Sequence, residues 1–141
     1  MGQWECDLQQ LASSCGGQVL NFCRYADDYL VLFEGDDSQL SQWVDRQNSK
    51  NQSIKVTLEI EKDQQLPILD ILITRSEKFT TKVYRKSCAT NQVPAYDSYT
   101  ERRYLSSAIR SDYIRAIRYC DSGKDLREEI QLFMLSRHLH R

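Results

Sequence analysis

No apolar run in this chain approaches the roughly 20 residues that span a bilayer, and no signal-peptide h-region follows Met1. Both absences imply a soluble, intracellular chain, with nucleus and cytoplasm left open. Cys6, Cys15, Cys23, Cys88 and Cys120 are scattered, odd in number and never spaced Cys-x-x-Cys. A structural zinc site and a disulfide framework are therefore both poorly supported, and buried, reduced thiols are the expectation. The only histidines, His138 and His140, stand at the far end with i, i+2 spacing, wrong for two ligands on one helical face. There is no internal repeat and no low-complexity tract. What is present is globular in character: 141 residues, 40% hydrophobic and 28% charged, enough for one modest core.

The net charge of −1 hides a division. Residues 1–77 hold 6 basic and 13 acidic side chains, and residues 78–141 hold 13 basic and 7 acidic. An acidic half joined to a basic half suits a protein that holds cations at one end and phosphates at the other.

The acidic half contains the stretch around which the rest is read, Arg24-Tyr25-Ala26-Asp27-Asp28-Tyr29. Val19, Leu20 and Phe22 precede it, and Leu30, Val31, Leu32 and Phe33 follow, so the pattern predicts a strand–turn–strand hairpin with two carboxylates at its tip. One Asp in a tight turn is ordinary. Two adjacent ones repel, and such a pair gains from sharing a hard divalent cation such as Mg²⁺, or Mn²⁺ in its place. A solvated acidic turn is the plain alternative.

Taken in order, residues 3–14 favour a helix with Trp4, Leu8 and Leu11 on one face, stopped by Cys15-Gly16-Gly17. The hairpin follows, with strands near 19–25 and 29–34. A helix is predicted over 38–49, with Leu40, Trp43, Val44 and Gln47 inward. Strict alternation over residues 54–61 predicts a half-buried strand. A second strand spans 66–74, with Pro67 confining its start to an edge, and a third spans 79–85. Residues 87–99 look irregular. From Thr100 the chain turns helical, with Leu105, Ile109, Tyr113, Ile117 and Cys120 inward and a break at Ser111-Asp112. A last helix over 124–139 turns Leu126, Ile130, Phe133 and Met134 inward. The order implies an α+β fold: an antiparallel, palm-like sheet with packed helices, followed by a C-terminal helical region.

Tyr25-Ala26-Asp27-Asp28 between apolar strands resembles the catalytic hairpin of reverse transcriptases, an aromatic, any residue, then Asp-Asp. Ile54-Lys55-Val56-Thr57-Leu58-Glu59-Ile60-Glu61, Leu66-Pro67-Ile68-Leu69-Asp70-Ile71-Leu72-Ile73 and Val83-Tyr84-Arg85-Lys86 follow in that order. They resemble the segment downstream of that hairpin in reverse transcriptases of Penelope-like retroelements, where a helical region sometimes described as a helix-turn-helix domain comes next. Ser87-Cys88-Ala89-Thr90 departs from the Pro and Thr-rich run that usually follows.

The resemblance implies a partial palm over residues 1–86 and a thumb-like or helix-turn-helix-like region over 87–141. It implies that Asp27 is a catalytic metal ligand with Asp28 beside it. Two Mg²⁺ ions about 4 Å apart would activate the primer 3′-oxygen and stabilise the leaving pyrophosphate. The implied partners are an RNA template, a DNA primer and, in a complete enzyme, a dNTP. The fingers and the further metal-binding Asp of such a palm have no counterpart in residues 1–18, so a partner chain supplying them is implied too.

The remaining candidates carry two readings each. Tyr25 packs beneath the hairpin, and in the family the nearby aromatic borders the nucleotide. Lys55 is a solvated strand lysine or a group near pyrophosphate. Asp70, inside an apolar strand, needs a partner such as Arg75 or a backbone amide. Tyr84, Arg85 and Lys86 suit stacking plus phosphate contact, or form an exposed strand end. Arg102, Arg103 and Arg110 either line a nucleic-acid groove or cover a solvated helix. The main reading is a partial RNA-directed DNA polymerase; the alternative is a non-catalytic nucleic-acid-binding helical module. Because two metals need more carboxylate than one hairpin supplies, the chain alone is expected to extend no primer. A primer-extension assay with Mg²⁺ or Mn²⁺ checks this.

Overall fold

The computed structural model describes residues 17–50, 53, 55–86 and 99–138. The helix expected over 3–14 and most of the irregular stretch 87–99 lie outside these. The chain divides into two compact units, residues 1–60 and 61–141. The later strands pack with the helices, within the second of these units.

In the first unit, β1 (Gln18–Tyr25) and β2 (Asp28–Glu34) form an antiparallel hairpin. Its register pairs Phe22 with Val31, Cys23 with Leu30, Arg24 with Tyr29 and Tyr25 with Asp28, leaving the two-residue loop Ala26-Asp27. Ala26 takes φ 51°, the left-handed region that tight hairpin turns demand. At the open end the Phe33 ring lies against both flanking glycines. Gly35 has φ 153°, and a Cβ there would meet that ring at 2.6 Å.

α1 (Asp37–Lys50) begins with half a capping box: the Asp36 amide donates to Gln39 Oε1 at 3.0 Å. Asp37 in its first turn and Lys50 in its last suit the helix dipole. Leu40, Trp43, Val44 and Gln47 form its inward face as expected, with Val44 and Gln47 buried.

The alternating segment after it is not a strand. Residues 55–60 join no ladder. The Asn48 side chain takes the place of a neighbouring strand, its Nδ2 donating to the Val56 carbonyl at 2.9 Å and its Oδ1 accepting the Val56 amide at 2.7 Å. Alternation marks a segment able to pair, but a ladder needs a second backbone, and here an amide side chain answers first.

In the second unit a two-residue loop, Asp63 (φ 51°) and Gln64 (φ 61°), turns the chain into β3 (Gln65–Ile68). β4 (Ile71–Arg75) and β5 (Phe79–Val83) complete an antiparallel sheet ordered β3-β4-β5. The single strand expected over 66–74 is therefore a hairpin, broken at Leu69-Asp70, where Leu69 has φ 52° and Ile68 pairs with Ile71. Pro67 sits on an edge strand, where its missing N–H leaves no ladder bond unmade.

Two helices follow, α2 (Arg102–Tyr119) and α3 (Gly123–His138). α2 runs through Ser111-Asp112 without the expected break. Its inward face also rotates: Ile117 is 64% exposed and Ala116 is 0%. Steps of four residues drift 40° each on a helix of 3.6 residues per turn, so the row 105, 109, 113, 117 leaves the face and an i+3 step restores it. Met134, expected inward on α3, is 52% exposed. The described thiols are Cys23, exposed against expectation, and Cys120, half-buried.

Asn48→Ala is expected to cost about 1–2 kcal/mol, since it strands both backbone groups of Val56. Asn48→Asp keeps the acceptor and should lose less. Urea unfolding followed by tryptophan fluorescence measures both.

Candidate nucleic-acid interface

In the first unit the acid pair stands where the sequence puts it. Asp27 occupies the hairpin loop, Asp28 opens β2 opposite Tyr25, and both are exposed. Tyr25 does not pack beneath the hairpin; it is 68% exposed, because the closing pair lies at the tip. Arg24 folds over the same tip, its Nε donating to the Ala26 carbonyl at 2.9 Å and its guanidinium lying 5.5 Å from the Tyr29 ring centre. Among the described residues no three His, Cys, Asp or Glu side chains gather to hold a metal ion. Two exposed carboxylates suit one hydrated Mg²⁺ that keeps most of its waters. They do not make a two-metal centre. Lys55, also in this unit, gives Nζ to the Asn48 carbonyl at 2.8 Å, a cation at the C-terminal turn of α1.

The other candidates belong to the second unit, and most of its polar chemistry joins the helices to β5. Asp121, in the turn between α2 and α3, accepts the Thr81 amide at 2.7 Å and the Thr81 hydroxyl at 3.1 Å on one carboxylate oxygen. Its own amide donates to the Thr81 carbonyl at 3.1 Å. The turn thus occupies part of the free edge of β5, which would otherwise be open to other chains. Ser122 then caps α3, its hydroxyl accepting the Lys124 amide at 3.1 Å.

Just past β5, Arg85 pairs with Glu129 of α3 and lies 5.0 Å above the Phe133 ring. The Glu129 side chain is only 7% exposed and that of Arg85 29%. Phe133 in turn meets Tyr113 of α2 at 6.2 Å. Arg115 reaches Asp70 in the β3–β4 turn at 2.9 Å. Asp70 is therefore an exposed turn residue, and its partner is Arg115 rather than Arg75, which is engaged by Glu61. Val83, Arg85, Asp112, Arg115, Glu129 and Phe133 line one small cleft.

These contacts sort the predicted binding residues. Arg85 is held inside the unit by Glu129. Tyr84 is half-buried and ties its amide to the Asp70 carbonyl at 2.8 Å, while Lys86 is exposed. On α2, Arg102, Arg103 and Arg110 are exposed. Arg103 pairs with Glu101 at 2.8 Å and lies 5.2 Å from the Tyr104 ring centre. Sequence reasoning missed Glu129, Arg115 and Asp121, whose partners lie 44, 45 and 40 positions away. The Asp121-Ser122 pair did carry a local signal, an N-cap before an apolar-periodic run.

A family model described as the animal helix-turn-helix domain matches residues 92–138, a range that includes all of α2 and α3. No curated protein and no solved structure matches the chain.

Removing Glu129 takes from Arg85 the buried carboxylate it pairs with, so Glu129→Ala should destabilise the C-terminal unit by about 3 kcal/mol. Replacing both partners, Arg85→Met with Glu129→Leu, should bring stability back to within about 1 kcal/mol of the parent. Urea midpoints of the three proteins test this.

Proposed function

We propose that the second unit is a nucleic-acid-binding helical module, with the sheet β3-β4-β5 serving as the platform that fixes its two helices. The single observation that carries this reading is the family match over residues 92–138, which coincides with two helices joined by the short turn 120–122. The charge of the unit agrees with it. Lys86, Arg103, Arg110, Arg118, Lys124 and Arg127 are all exposed, and exposed cations on a rigid helical pair are what a phosphate backbone requires. No helix among the described residues is long and apolar enough to cross a membrane, so these cations flank no span.

A second reading rests on the hairpin. Asp27, in the two-residue loop, and Asp28, next to it at the start of β2, are both exposed at the hairpin tip, within reach of a primer end and a Mg²⁺ ion. In that reading the chain contributes part of an RNA-directed DNA polymerase, with template, primer and dNTP as ligands and a partner chain completing the metal site.

Fluorescence anisotropy with a labelled nucleic-acid duplex, across 50–300 mM salt, tests the first reading. Binding is expected to weaken steeply, log K falling with log salt at about 0.9 per phosphate neutralised. The same titration with Mg²⁺ separates the two readings: under the first, Asp27→Asn and Asp28→Asn leave affinity unchanged or raise it. A Mg²⁺-dependent gain that vanishes in Asp27→Asn favours the second.

A further inference from the structure

Helix-turn-helix domains ordinarily place their second helix in the major groove while the first crosses the backbone. The charges here distribute the other way. α2 carries Arg102, Arg103, Arg110, Arg115 and Arg118 against the one acid Asp112, a net +4. α3 carries Lys124, Arg127 and Arg137 against Asp125, Glu128 and Glu129, a net of zero. The single acid of α2 is also removed from the outward surface, half-buried in the cleft beside Arg85 and Arg115. Arg115 is the one arginine of α2 that turns inward, to Asp70.

One outward row of α2 consists of Arg103, Ser107, Arg110, Ile114 and Ile117, all exposed and all within about 80° of arc on a helix of 3.6 residues per turn. None of these five residues is acidic, and the carboxylate beside them is Glu101, paired with Arg103 just before the helix. The outward face of α3 presents Glu128 paired with Lys124 at 3.8 Å, together with Leu132, Met134 and Leu135. A polyanion approaching α3 meets mixed charge and apolar surface; one approaching α2 meets cations, hydroxyls and two isoleucines, with Glu101 beside Arg103 at the start of the helix. Coulomb attraction at this range decides orientation.

From these observations, and resting on the reading of the unit as a nucleic-acid-binding module, we infer that α2 rather than α3 is the helix that lies in the groove, with duplex DNA as its ligand. α2 is one uninterrupted 18-residue helix, about 27 Å long and of a width that a 12 Å major groove admits. Arg103 and Arg110 stand two turns apart on one line, about 10 Å along the axis. Hydroxyls of Ser106 and Ser107 between them suit base-edge or phosphate contact, and Ile114 and Ile117 suit thymine methyl groups. A single strand would stack on open aromatics; Tyr99 is fully exposed and Tyr104 has Arg103 5.2 Å from its ring centre, so the single strand is the competing ligand that the test includes. Glu101, paired with Arg103, competes with phosphate for that guanidinium.

The test is anisotropy of a fluorescein-labelled 20-base-pair DNA duplex with the full chain at 100 mM salt, repeated with the labelled single strand. Arg103→Ala with Arg110→Ala should weaken duplex binding about tenfold and lower the salt slope by about two. Lys124→Ala with Arg127→Ala should weaken binding less, by about threefold, with a smaller change in salt slope, and Glu101→Gln should tighten binding about twofold by releasing Arg103 from its ion pair. Far-ultraviolet circular dichroism confirms that each variant keeps its helices. Loss concentrated in the α3 pair, or equal in both pairs, overturns the assignment to α2 while leaving the module reading in place. Tighter binding of the single strand overturns the duplex. A parent chain that binds neither probe overturns the module reading and this inference with it.

Discussion

A carboxylate as buried as Glu129 costs several kcal/mol unless a cation shares its site, and the C-terminal unit is arranged around meeting that condition. The cation is Arg85, which leaves β5 at the point where the chain can reach α3. Its guanidinium does two jobs, neutralising Glu129 and covering the Phe133 ring. Phe133 then contacts Tyr113, and Ala116 of α2 is fully buried. Arg115 to Asp70 and Asp121 to Thr81 fix the same helices to the sheet at two further places. Among the described residues of this unit only Ala116 and Phe133 are buried hydrophobic side chains, so polar ties hold much of the geometry that packing would hold in a larger core.

That economy has a consequence for the surface. When Arg85 and Arg115 are committed inward, each with an acid, the exposed arginines of α2 outnumber the acid beside them, Glu101, which pairs with Arg103. The internal network and the external charge are two outcomes of one partition of the same residue type. In the first unit the partition is absent. The hairpin is a two-stranded ribbon, a structure of marginal stability by itself, and its acids, its Arg24 and its Tyr25 all gather at an exposed tip. Such a tip suits contact with something else.

The parts of this fold legible in the sequence are those set by neighbours along the chain. The β1–β2 hairpin, the inward row of α1 from Leu40 to Gln47, the capping of α1 and the edge position of Pro67 all follow from local pattern and turn chemistry. The parts that were not legible depend on distant partners. Residues 55–60 have a strand's alternation, but Asn48 satisfies Val56 before another backbone can. Leu69-Asp70 sits inside an apolar run that reads as one strand, and only the positive φ at Leu69 and the pull of Arg115 on Asp70 reveal the turn. Ile117 looked inward because four-residue steps were followed past the point where they drift off the face. Of the candidate site, the acid pair and the arginines of α2 stood where the sequence placed them; the internal role of Arg85 was hidden because its partner is a helix-borne acid 44 residues away.

The central claim is that the C-terminal unit meets nucleic acid through α2. Amide hydrogen exchange of the full chain, with and without a saturating DNA duplex, tests it most directly, because it reads every segment at once without altering any residue. The account predicts new protection along Arg103 to Ile117, with the hairpin tip at Asp27 and Asp28 unchanged. Protection confined to α3, or appearing only at the hairpin, would contradict it.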